Sequence, residues 1–204
     1  MLTYKDLDPS KKAFIFELDN VLYPEQDYLL QVYYLFANFI EFTEGFPPAS
    51  DLTDFFKNAY LHHGDDGIFD RVQETFGIDE KYRENLTRLY KTARLPLKLI
   101  LYHNVIRLLQ DIIVDRKTII IITNGLPEIQ INKIMQTEWN GLEKYLKVYY
   151  VEEIVPKLAS DPITYILQKE ELQNQDVTYI KYEETDIEFT QTIGIEYLNI
   201  NKFI

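Results

Sequence analysis

Cysteine is absent from the 204-residue chain, which excludes disulfides, thiolate metal sites and cysteine nucleophiles, though not any particular compartment. Glycine is scarce, at seven residues, so each is a candidate for a tight turn. Cations are outnumbered: 21 Lys and Arg face 33 Asp and Glu, a formal net charge of −12. A chain so charged lacks the basic surface needed to neutralise nucleic-acid phosphates or to dock on anionic lipid. Long apolar runs are also missing. The densest, Ile119 to Ile122, is far too short to span a bilayer. Met1 to Lys12 is polar and charged, without the apolar stretch of a secretion signal. These absences imply a cytoplasmic protein with no nucleic-acid or membrane partner. What is present, 46% apolar and 26% charged residues, suits one globular core, or one core carrying an insertion.

Ala13-Phe14-Ile15-Phe16 is short, continuous and bounded by charges, as expected of a buried parallel strand. From Pro24 to about Arg94 the pattern turns helical. Leu29, Val32, Tyr33, Phe36, Phe39 and Ile40 recur at steps of three and four. Breaks at Gly45-Phe46-Pro47-Pro48, Gly64 and Gly77 divide this stretch into about four helices, with Asp51, Asp65 and Asp79 as expected helix starts. After Leu95-Pro96, strand and helix alternate. Helices are expected over Tyr102–Ile113, Pro127–Trp139, Asp161–Leu172 and Asp186–Ile193. Strands are expected over Thr118–Ile122, Lys147–Val151, Val177–Ile180 and Ile195–Ile200. Such alternation implies right-handed βαβ units and a parallel sheet covered on both faces. The expected organisation is an α/β core of residues 1–23 and 95–204, with residues 24–94 inserted after the first strand as a helical cap. Ligands bind such sheets at the carboxyl edge, where the cap is expected to lie.

The chemistry-bearing segment is Phe14-Ile15-Phe16-Glu17-Leu18-Asp19-Asn20-Val21-Leu22-Tyr23-Pro24. Two carboxylates leave the end of a buried strand two residues apart, hence on one side. Ile119-Ile120-Ile121-Ile122-Thr123-Asn124-Gly125 is a second strand ending in small polar residues. Ser160-Asp161-Pro162 with Tyr165, and Tyr179-Ile180-Lys181-Tyr182-Glu183-Glu184-Thr185-Asp186, follow in order. Together these four segments resemble motifs I to IV of the haloacid dehalogenase (HAD) superfamily, over nearly the whole chain. The flavour of motif I is similar to that of the pyrimidine 5′-nucleotidase-like phosphatases. The resemblance implies a HAD-like Rossmannoid parallel sheet with its helical cap after the first strand. It also implies hydrolysis of phosphate monoesters with Mg2+. In that chemistry the first motif I Asp attacks phosphorus, the second is general acid and base, and a motif III Lys steadies the phosphoryl charge.

Several positions depart from that pattern. Glu17 stands where the nucleophilic Asp is expected, and one extra methylene displaces the attacking oxygen by about 1 Å, a misplacement that costs about 100-fold. Tyr182 stands at the metal-binding Asp of motif IV, and Lys181 at the small residue before it. The motif III Lys aligns with Ala159, leaving Lys157 two residues away as its substitute. The site residues expected from the resemblance are Glu17, Asp19, Thr123 and Lys157 for catalysis. Thr123, Asn124, Gly125 and Lys181 are expected for anion binding. Glu17, Asp19 and Asp186 are expected to form a weak or absent metal site. The joint change at positions 17, 181 and 182 predicts that Lys181 enters the metal position and pairs with Glu17 or Asp19. Three readings follow: an impaired or inactive family member holding a small phosphorylated molecule or inorganic anion; a slow Mg2+-dependent phosphatase using Asp19 and Glu17; and a non-catalytic interaction module.

Plainer roles compete with these. Thr123-Asn124 also suits a helix cap. His62-His63 and His103 read as helix-end residues, because no carboxylate completes a metal-binding spacing around them. The aromatic stripe of Tyr28, Tyr33, Tyr34, Phe36, Phe39 and Phe42 reads as packing within the helical region before it reads as a platform for a nucleobase. Glu170-Glu171 and Glu183-Glu184 read as solvated faces.

Overall fold

The computed structural model describes residues 2–154, 161–182 and 194–202. In chain order the elements are β1 (Ala13–Glu17), α1 (Gln26–Glu44), α2 (Ala49–His63), α3 (Ile68–Phe76), α4 (Arg83–Thr92), β2 (Leu99–Ile100) and α5 (His103–Val114). Then follow β3 (Thr118–Thr123), α6 (Pro127–Gln136), β4 (Thr137–Glu138), β5 (Leu146–Tyr150), α7 (Val151–Ile154), α8 (Pro162–Lys169), β6 (Val177–Lys181) and β7 (Glu196–Asn199). They divide into two compact units. One comprises Met1–Pro24, Leu99–Gln130 and Thr137–Ile204; the other comprises Glu25–Lys98 and Ile131–Gln136.

The first unit is built on a five-stranded sheet of order β5-β3-β1-β6-β7, and every pairing in it is parallel. Both faces are covered, as the continuous apolar runs require. Ala13 and Ile15 point to one side and pack with Ile120, Val177, Ile163, Ile166 and Leu167. Phe14 and Phe16 point to the other and are equally buried. Register fixes which strand tips meet. Phe16 lies opposite Ile180 and Glu17 opposite Ile122. One residue further along β6, Lys181 therefore stands beside Glu17, on the same face of the sheet.

The second unit is helical. Its aromatic stripe splits by burial: Tyr28, Tyr33 and Phe36 are buried, whereas Phe42 is exposed. Tyr33 stacks on Phe56 at 4.6 Å, and Phe39 meets Tyr82 edge-on at 5.7 Å. The stripe is therefore mostly packing within the unit. The Tyr33 and Tyr90 hydroxyls both donate to Asp65; burial pushes both phenols well above their usual range, which keeps them protonated.

Several element ends differ from the sequence reading. Asp51 lies inside the first turn of α2, whose N-cap is Pro48. Asp65 precedes α3, whose N-cap is Gly67 in left-handed geometry, and spends its carboxylate on the two phenols instead. Asp79 accepts from the Lys81 N–H, but at a short 3-10 turn rather than an α-helix. The helix from Pro127 stops at Gln136, not Trp139, because Thr137–Glu138 leaves it to pair with β2. The helix capped by Asp161 stops at Lys169, before a positive φ at Glu171. Val151 begins α7 rather than ending β5. The expected helix Asp186–Ile193 lies outside the described residues.

Candidate functional site

The carboxyl ends of β1, β3 and β6 gather the residues singled out in the sequence. Glu17 ends β1 and is half-buried. Its Oε1 lies 3.5 Å from the Lys181 Nζ and accepts from the Tyr179 hydroxyl at 3.1 Å. Its Oε2 accepts from the Tyr182 backbone N–H at 3.3 Å. Lys181 is 7% exposed, and its ammonium also sits 5.5 Å from the centre of the Tyr179 ring. Alternation along β6 places Tyr179 and Lys181 on one face, so a phenol and an ammonium converge on one carboxylate. The Tyr182 backbone is held a second time, its carbonyl accepting from the Asn201 side chain at 2.6 Å.

Beyond Glu17 the chain turns sharply. Asn20 adopts φ 61°, a left-handed geometry that Asn tolerates better than most residues. Its N–H donates to the Tyr23 carbonyl at 2.9 Å. That turn carries Asp19, whose Oδ1 accepts from the Tyr23 hydroxyl at 3.2 Å.

The β3 tip is organised differently. The Thr123 hydroxyl is buried and donates to Gln130 Oε1 at 2.9 Å. Gln130 Nε2 donates back to the Asn124 carbonyl at 2.9 Å. Asn124 Oδ1 accepts from the Gly125 N–H at 3.0 Å. Gly125 has φ 106°, and a Cβ there would meet Gln130 Nε2 at 3.0 Å. The tip is thus closed by side-chain hydrogen bonds through Gln130, while Asn124 itself is exposed.

Of the expected site residues, the structure brings Glu17 and Lys181 into contact and ties Thr123, Asn124 and Gly125 together through Gln130. Asp161 serves as N-cap of α8, accepting from the Ile163 and Thr164 N–H groups at 2.8 and 3.1 Å. Lys157, Ala159, Ser160, Glu183, Glu184 and Asp186 lie outside the described residues. The sequence reading missed Tyr179, Tyr23, Gln130 and Asn201. Strand parity was a usable signal for Tyr179; nothing local marked the other three.

Magnesium demands near-octahedral oxygen coordination at about 2.0–2.1 Å and gives up its waters reluctantly. The described residues do not fit it. Three proton donors already converge on Glu17, one of them a cation. Among the described residues, no three acidic or His side chains converge as a cation site.

A parallel α/β sheet with polar residues gathered at adjoining carboxyl ends defines a Rossmann-like fold, whose ligands bind at that edge. A sequence model of the haloacid dehalogenase-like hydrolases matches residues 14–200. The chain belongs to that family. Solved structures resemble it at low identity and so bear on the fold alone. The magnesium-bound putative HAD-hydrolase YfnB of Bacillus subtilis is 14% identical, with a TM-score of 0.61, covering 95% of this chain and 88% of its own. A putative beta-phosphoglucomutase of Thermotoga maritima is 18% identical, also with a TM-score of 0.61, covering 92% and 84%. A dehalogenase solved with an intermediate complex is 14% identical, with a TM-score of 0.56, covering 97% and 88%. No curated protein matches the chain. No helix among the described residues is long and apolar enough to cross a membrane.

Proposed function

We propose that this chain is a HAD-family protein in which phosphate-ester hydrolysis through a covalent acyl phosphate is lost or reduced to a trace. The observation that carries this reading is the binding of both Glu17 oxygens to the β6 tip. An attacking carboxylate must present a lone pair in line with phosphorus at about 3–3.5 Å. Both Glu17 oxygens are instead engaged, by a phenol, an ammonium and a peptide N–H. Its charge is matched by Lys181, and its extra methylene supplies the reach for that pairing.

The ligand class the family resemblance supports is a small phosphorylated molecule or an inorganic anion, held without turnover. Asn124, exposed at the β3 tip, offers its side-chain N–H groups for that purpose. The test is hydrolysis of p-nitrophenyl phosphate and a panel of phosphate monoesters, with and without Mg2+. The expected rate is indistinguishable from that of the Glu17→Ala variant. Turnover that Glu17→Ala abolishes overturns the proposal in favour of an active phosphatase. Turnover that Asp19→Asn abolishes and Glu17→Ala spares overturns it in favour of direct water attack assisted by Asp19.

A further inference from the structure

We infer that the Lys181 ammonium is the resident cation of this site, and that the chain has exchanged its family's dependence on magnesium for a covalently tethered positive charge. The inference rests on the reading above for the identity of the site and adds what holds its charge. Three observations carry it. First, parallel register puts position 181 beside position 17, so the ammonium lies against the Glu17 carboxylate. Second, Lys181 is 7% exposed, and an ammonium so far out of water persists only with an anion beside it; Glu17 lies beside it at 3.5 Å. Third, both Glu17 oxygens also accept from neutral donors, the Tyr179 hydroxyl and the Tyr182 N–H. A divalent ion entering here has to compete with those donors and sit against a fixed like charge.

The Glu17 Oε1 lies 3.5 Å from the Lys181 Nζ, longer than the roughly 2.7–2.9 Å of a close ammonium–carboxylate hydrogen bond, so the pair is held by charge rather than by a short bond. With the ammonium as resident cation, position 182 has no metal to bind and no need of a carboxylate. One exchange of cation accounts for the residues at 181 and 182.

The experiment compares thermal unfolding and calorimetric titration of the full chain in magnesium chloride and in sodium chloride of equal ionic strength. Wild type is expected to unfold at the same temperature in both salts and to show no saturable heat with magnesium. The variant combining Glu17→Asp, Lys181→Gly and Tyr182→Asp restores the family pattern. It is expected to show saturable magnesium binding, unlike wild type, and to be stabilised by the ion through mass action. Should that variant fail to fold, Lys181→Gln with Tyr182→Asp keeps most of the side-chain length at 181, removes the charge and adds a carboxylate at 182. It is expected to unfold at a higher temperature in magnesium than in sodium. A magnesium-specific stabilisation of wild type overturns the inference. So does a folded charge-removed variant that remains indifferent to the ion. Ester turnover without any magnesium response sinks the proposed function and leaves this inference standing. A magnesium response in a chain that hydrolyses nothing does the reverse.

Discussion

Two strand tips a few residues from each other in the sheet are stabilised in opposite ways. At the β1–β6 tip a carboxylate and an ammonium face each other with little water between, and phenol and peptide donors complete the set. At the β3 tip every partner is neutral: hydroxyl, amide, carbonyl and a glycine N–H. The difference teaches that a charged strand tip and a neutral one can both be tied down by several partners in the same sheet.

The comparison breaks first at Lys181. Lys181→Met leaves Glu17 without its counter-charge, and loss of one partner of a buried pair costs about 3–5 kcal/mol. The partial exposure of Glu17 lowers the expected cost to about 2–3 kcal/mol, measurable by urea unfolding. At the neutral tip, Gly125→Ala forces a φ of 106° on a residue with a Cβ, against Gln130 Nε2 at 3.0 Å; strain of this kind costs about 1–3 kcal/mol. Thr123→Val removes the hydroxyl that Gln130 accepts, with an expected loss of about 1 kcal/mol. If Thr123→Val proves as costly as Lys181→Met, the contrast between charged and neutral tips fails. Tyr179→Phe, which deletes one of three donors to Glu17, is expected to cost about 0.5–1 kcal/mol.

The smallest effect is a control on a second Lys–Glu pair, between Lys147 on the edge strand β5 and Glu170, where Lys147 is half exposed. Burial pushes the Glu170 carboxyl up, but the Lys147 ammonium and the Tyr149 hydroxyl pull it further down, to a net value below 4.5. A carboxyl lowered by folding contributes stability that is complete above its unfolded value and is lost as pH falls through its folded one. The stability gap between wild type and Glu170→Gln is therefore expected to be constant above about pH 4.5 and to close below it, in urea titrations at stepped pH. A gap that widens on acidification contradicts that sign.

The sheet was legible because its inner strands are unbroken apolar runs with no plausible helical face: Ala13–Phe16, Thr118–Ile122 and Val177–Ile180 all fall within observed strands. The Lys181 pairing was legible because parallel neighbours bring equivalent tips together. Less legible were contacts that no local pattern announces. Gln130 is one polar residue among several on α6, yet it ties Thr123 to the Asn124 carbonyl. Tyr179 reads as a core aromatic until its hydroxyl is followed to Glu17. Two-residue strands such as β2 and β4 are below the length at which periodicity exists, so Thr137–Glu138 was read as a continuation of helix. Asp65 has the chemistry of a helix cap, but two nearby phenols compete for it.

The backbone of Tyr182, gripped by Glu17 at its N–H and by Asn201 at its carbonyl, gives the β1–β6 tip the character of a ratchet. Replacing the lysine first strands an acid. Adding an acid at 182 first crowds two like charges. Shortening Glu17 first pulls it away from all three donors. No single exchange among Glu17, Lys181 and Tyr182 leaves the charges and donors of this tip matched, so the three positions are energetically coupled.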